Sequence, residues 1–211
     1  MFLSVLVLFV FNARCFGNSE KPCSLNDHLL KEIERNLVEL KLIHVHTPEY
    51  RGFAASKHYT KGGSGSNFLC RPKNSEWKDY TEGKSQGTGG IYGVEYEIHN
   101  CKPYSKSFLN KDMPCAVCLT ARSTALMVPG KRNCFEGWHK EFSGYLMSEH
   151  DDKSRSPSEY ICVDEKLDSV LGGDANNGEA IVYPVEAVCG SLKCPHMLTV
   201  ENVPASYAQN K

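Results

Sequence analysis

The sequence predicts a mostly β protein of two homologous, pseudo-twofold-related subdomains, stabilised by disulfides and preceded by a short α-helix. Three observations predict it. The second half repeats the first at an offset of about 91 residues. Segments rich in Tyr, Phe, Val and Ile are short and are separated by Gly, Ser, Pro, Asp and Asn clusters, the rhythm of strands and turns. The chain also holds 10 cysteines behind an apolar N-terminus, the cysteine usage of an oxidising compartment.

The repeat is carried by separate blocks. Tyr50-Arg-Gly-Phe-Ala-Ala-Ser-Lys-His58 lines up with Phe142-Ser-Gly-Tyr-Leu-Met-Ser-Glu-His150, and Ser66-Asn-Phe-Leu-Cys70 with Ser158-Glu-Tyr-Ile-Cys162. Ile91-Tyr-Gly-Val-Glu95 matches Val182-Tyr-Pro-Val-Glu186, and Met113-Pro114 matches Val203-Pro204. A unit this long exceeds a solenoid repeat and reads as one subdomain doubled.

In chain order, Met1–Phe11 is apolar from the second residue except for Ser4. The run is shorter than the roughly 20 residues of a membrane span. With Cys15 and Gly17 as small residues before a cleavage point, residues 1–17 read as a secretory signal peptide. Residues 18–45 hold a polar stretch and an amphipathic helix over 25–42. On it Leu30, Ile33, Leu37 and Leu40 follow the spacing of about two heptads and form a candidate oligomer helix. The first subdomain spans 46–120 and the second 121–211. Runs 61–66, 82–90 and 172–178 are turn-rich loops; Ile91–Ile98 and Ala180–Val188 are strands, with Pro184 at an edge or bulge.

Net charge is −1, so a nucleic-acid partner has no electrostatic footprint. Removing 1–17 leaves Cys23, Cys70, Cys101, Cys115, Cys118, Cys134, Cys162, Cys189 and Cys194, an odd set with at least one thiol free or bonded to another chain. Cys23 and Cys101 are the candidates for unpaired or interchain cysteines, and the other seven for structural disulfides.

Cys115-Ala-Val-Cys118 has the spacing of a redox dithiol, but no strand-to-helix context, and reads as structural. Zinc would need four suitably spaced ligands, and Cys134 and the Cys189/Cys194 pair do not complete a set. His44 and His46 share one face of an extended segment without a third ligand. His58 and His150 sit at equivalent repeat positions, which favours a structural hydrogen bond over catalysis. Asp151-Asp152 and Asp164-Glu165 lack the ligand spacing of a calcium loop. No hydrolase or phosphate-loop motif occurs, and neither an enzymatic activity nor a cofactor is expected.

Asp112-Met-Pro-Cys-Ala-Val-Cys118, Met127-Val-Pro-Gly130, Asn133-Cys-Phe-Glu-Gly-Trp138, Phe142-Ser-Gly-Tyr-Leu-Met147 and Tyr160-Ile-Cys-Val163 together resemble the C-terminal non-collagenous domain of type IV collagen. The likeness is nearer to the short-chain, spongin-type collagens, through Asn67-Phe-Leu-Cys70 and Pro184-Val-Glu-Ala-Val-Cys-Gly-Ser-Leu192. It covers roughly residues 47–204.

The resemblance implies bridges within a subdomain, Cys70 to Cys115 and Cys189 to Cys194. Exchange of the closing segments between subdomains would instead pair Cys115 with Cys162 and Cys118 with Cys134. Two departures leave both schemes open: Leu42–Tyr50 lacks the family's Cys-Pro-x-Gly opening, and Val203–Ala208 lacks its closing Cys-x-x-Cys.

The expected function is a secreted, non-enzymatic component of an extracellular matrix, with skeletal or mineralising matrix included. It would act by homo-oligomerisation and by binding other matrix proteins, with no membrane span. The alternative is a secreted recognition module, lectin-like or receptor-binding, using the loops at 61–66 and 82–90.

Overall fold

The computed structural model describes residues 7–11, 48–79, 82–99, 103–104, 107–119, 124–193 and 200–210. Their regular structure is all strand: β1 Val7–Phe11, β2 Pro48–Ser56, β3 Leu69–Pro72, β4 Tyr92–Ile98, β5 Phe108–Asp112, β6 Pro114–Leu119, β7 Ala125–Pro129, β8 Trp138–Ser148, β9 Ile161–Asp164, β10 Ala180–Pro184, β11 Glu186–Val188, β12 Val200–Asn202 and β13 Pro204–Asn210. The mostly β expectation holds. The candidate helix, with Leu30, Ile33, Leu37 and Leu40, lies outside the described residues, as do His44, His46, Cys23, Cys101 and Cys194.

The strands run β10-β4-β2-β6-β1-β9-β8-β13-β7, with β3 added to β2 and β5 to β4. Because β10 also pairs with β8, the path from β10 through β8 returns to its start. Closure of this kind hides the unpaired backbone edges that an open sheet presents to other chains. β1, from the segment expected to be a signal peptide, runs antiparallel to β6 from Val7↔Leu119 to Phe11↔Cys115, and Phe11 also lies opposite Val163 of β9.

Pairing registers recur along the chain. On one side of β2, Gly52, Ala54 and Ala55 face Pro72, Cys70 and Leu69; on one side of β8, Gly144, Leu146 and Met147 face Asp164, Cys162 and Ile161. On the other side, Gly52 and Phe53 face Cys115 and Pro114, as Gly144 and Tyr145 face Ala205 and Pro204. Glu95↔Asp112 on β4 and β5 has its match in Glu186↔Asn202 on β11 and β12. β1 lies on β6 as β7 lies on β13: Phe11 and Val10 face Cys115 and Ala116, and Pro129 and Val128 face Ala205 and Ser206.

Period-two alternation explains what is buried. On β4, Val94, Tyr96 and Ile98 point into the larger core cluster. That cluster also takes Phe68, Met113 and Val117 from before residue 120, and Met147, Ile161, Val163 and Val182 from after it. The two expected subdomains therefore share a core. A smaller cluster joins Ala116 and Cys118 to Phe142, Leu146, Cys162 and Ala205. Met147 is fully buried, and truncating such a side chain to alanine costs about 2–5 kcal/mol.

Candidate functional site

Cys70 on β3 and Cys115 on β6 flank β2 and form a disulfide, with 5.7 Å between their Cα atoms. Cys118 and Cys189 are also disulfide-bonded. Cys115 therefore cannot pair with Cys118 as a redox couple, and exchange of closing segments, which requires Cys115–Cys162, does not occur. Cys134 and Cys162, expected among the disulfide cysteines, are free thiols. The reason for Cys162 is visible in the register: it occupies on β9 the place of Cys70 on β3, but the place of Cys115 is taken on β13 by Ala205. Burial pushes the Cys162 thiol up to about 12, with the Asp164 carboxylate adding to the shift. It is an inert hydrophobe rather than a nucleophile. The Cys134 thiol contacts the Ser206 hydroxyl at 3.8 Å and the Tyr207 carbonyl at 3.9 Å.

The twin histidines do the same local work. His58 Nδ1 accepts from the Thr60 amide at 3.2 Å, and His150 Nδ1 from the Asp152 amide at 3.1 Å. Each ring meets a tyrosine edge-on, His58 with Tyr92 at 5.1 Å and His150 with Tyr183 at 5.2 Å. Both close the turn after a long strand. Partial burial lowers the His58 pKa, Lys61 lowers it further, and Glu179 opposes the shift.

The acidic pairs are turn caps as well. Asp152 Oδ1 accepts from the Ser154 amide at 2.7 Å and the Ser154 hydroxyl at 2.6 Å, bonds that lower its pKa. Asp164 Oδ1 accepts from the Lys166 amide at 2.7 Å. Among the described residues, no group of three His, Cys, Asp or Glu is placed to hold a metal ion. The glycine-rich loops clasp one another, Ser64 Oγ donating to the Gly90 carbonyl at 2.7 Å and Lys61 Nζ to the Tyr92 hydroxyl at 2.9 Å.

Among the described residues, a cleft of about 320 Å³ lies over β4 and β5, roofed by the segment that leads into β10. Its acids are Glu95, Asp112 and Glu179; the half-buried Phe53 supplies apolar surface, and Val94 and Met113, buried in the core, border the cleft from beneath. Glu95 is 2% exposed, although its place opposite Val94 and Tyr96 in the alternation marks it for solvent. The residues ahead of β10 cover it: Glu95 Oε1 accepts from the Asn177 amide at 3.1 Å. Its Oε2 is buried with no hydrogen-bond partner. Burial raises the Glu95 pKa, opposed by the Asn177 and Gly178 amides, with Asp112 and Glu179 adding repulsion. Burial also raises Asp112, with Glu179 and Asp174 contributing. Gly173 permits that approach, since a Cβ there would overlap the Asp112 carboxyl. Glu179 Oε2 accepts from the Gly93 amide at 3.0 Å. The cleft's guanidinium, on Arg71, is turned to Ser75 Oγ at 3.3 Å and to the rings of Phe53 and Trp77.

Sequence reasoning passed over this cleft. Glu95 was legible only as part of the Ile91–Glu95 block, and Glu179 and Asp112 lie in unrelated parts of the chain. No protein-family model and no curated protein matches the chain. No helix among the described residues is long and apolar enough to cross a membrane.

Proposed function

We propose that the chain is a secreted, non-enzymatic structural component of an extracellular matrix that works by associating with itself and with other matrix proteins. Its two halves are copies of one subdomain about a pseudo-twofold axis, in the manner of the collagen-type domains that the sequence resembles. The observation that carries this reading is the recurrence of register: strand for strand, the pairings around Gly52 reappear around Gly144. A shared core and a disulfide across β2 suit a rigid building block in an oxidising medium. The repeat's histidines and exposed aspartates serve turns, which suits a scaffold better than a reaction centre.

The test is the solution mass of the chain by size exclusion with light scattering, with and without reductant. A multiple of the 23.5 kDa chain is expected. Leu37→Asp should reduce it to monomer if residues 25–42 form the oligomer helix. A monomer under both conditions overturns the reading and favours the recognition module built on the loops at 61–66 and 82–90.

A further inference from the structure

We propose that the cleft bounded by Glu95, Asp112 and Glu179 is a binding site for an organic cation, a lysine-like alkylammonium group presented on an extended stem. A carboxylate oxygen buried without a partner is costly, most of all when the group is charged. Glu95 Oε2 is in that state, in a side chain that lines an open cleft. Asp112 stands on the facing position of β5, directly across the strand pair from Glu95. A cation between the two would supply the missing partner of Glu95 Oε2 and offset the crowding of carboxylates at Glu95, Asp112 and Glu179.

The fold itself does not require this arrangement. The same register in the other half pairs Glu186 with Asn202, and there Glu186 is exposed. The strand pair thus tolerates a single acid turned to solvent. The facing pair of acids, with Glu95 buried, is particular to the first half, where the Asn177–Glu179 segment covers it.

The cleft also selects among cations. Calcium takes six to eight oxygens and magnesium a tight octahedron; no three acids among the described residues converge in that way. The half-buried Phe53 offers apolar surface to an alkyl stem beside the carboxyls. Arg71, engaged with Ser75 and two aromatic rings, does not neutralise the acids: no ion pair joins it to any described residue.

The experiment labels methionine methyls with ¹³C and titrates the full chain with Nα-acetyl-lysine amide, and separately with calcium chloride. Met113 borders the cleft from the core side, and Met147, in the same core cluster but not among the cleft residues, reports on folding. A saturable shift of Met113 alone is expected, with a dissociation constant of about 1 mM for so small a ligand. Glu95→Gln and Asp112→Asn should each weaken binding at least about tenfold, a loss of about 1.4 kcal/mol. Glu186→Gln should leave it unchanged. If Glu95→Gln perturbs Met147, Asp112→Asn alone decides. Absence of saturation, unaltered binding in the decisive variant, or a tighter response of Met113 to calcium would overturn the proposal.

Discussion

Gly52 on β2 and Gly144 on β8 occupy one register position in two strand sets, Gly52 between Pro72 and Cys115, and Gly144 between Asp164 and Ala205. The same contact requires glycine at each. A Cβ on Gly52 would collide with the Arg71 carbonyl, and one on Gly144 with the Val163 carbonyl. The obstacle is backbone of the neighbouring strand, which cannot step aside without breaking its ladder. Gly52→Ala and Gly144→Ala should each lower stability by about 1–3 kcal/mol, read from urea unfolding midpoints. A variant that unfolds with the parent chain would mean that the strands at that position are farther apart.

The empty half of a disulfide gives a sharper test of the same correspondence. Cys162 faces Leu146 as Cys70 faces Ala54, and Ala205 faces Gly144 as Cys115 faces Gly52. Ala205→Cys should therefore oxidise with Cys162 across β8, in the geometry that joins Cys70 to Cys115 across β2. Closing a loop of tens of residues, the bridge should add about 3–4 kcal/mol. Non-reducing peptide mapping would identify it. Free thiols at both positions after oxidation would show that the two halves differ in side-chain geometry.

These two predictions rest on features that were readable in the sequence, because the blocks around Gly52 and Gly144 carry matching residues at one offset. Other features were hidden for physical reasons. Val7–Phe11 is a short, uncharged apolar run, and such a composition fits a strand paired on both sides as well as a leader. Glu95 sits on the polar side of an alternating strand, and only the distant Asn177–Glu179 segment buries it. Cys162 and Cys134 read as bridge-formers in a secreted chain. That the partner position on β13 is Ala205 emerges only when β8, β9 and β13 are aligned in space.

The placement of β1 makes residues 1–17 consequential. β1 occupies the edge of β6, whose residues Pro114 to Cys118 are all buried, and reaches β9 through Phe11. A chain beginning at residue 18 would leave those backbone groups without their strand partner. Comparison of the full and shortened chains by urea unfolding should show the shortened one less stable by about 2–5 kcal/mol. Equal midpoints would remove β1 from the folded core. Sequencing the N-terminus of the protein isolated from its native source would then show whether residues 1–17 are retained.

Glu149 sets a pH dependence whose sign follows from its surroundings. Burial raises its pKa from 4.5 to about 7; the His150 amide opposes the shift, as do Arg155 and Lys57, while Glu97 reinforces it. The His150 amide donates to Oε1 at 2.9 Å, and the Arg155 guanidinium stands 3.8 Å from the same oxygen. The folded chain thus holds a proton that the unfolded chain releases first. Below about pH 4.5 both states are protonated and this group costs nothing. As pH rises from 4.5 through about 7, stability falls, and above that the penalty is constant. At about 1.4 kcal/mol per pH unit the loss is about 3 kcal/mol. Glu95 and Asp112, also raised by burial, slope the same way, so the parent curve alone does not isolate Glu149. The difference between the parent and Glu149→Gln does. The variant should match the parent near pH 4 and melt higher near pH 8, with the gap opening across that window in thermal unfolding at fixed salt. Melting curves that stay parallel from acid to base would place the proton elsewhere.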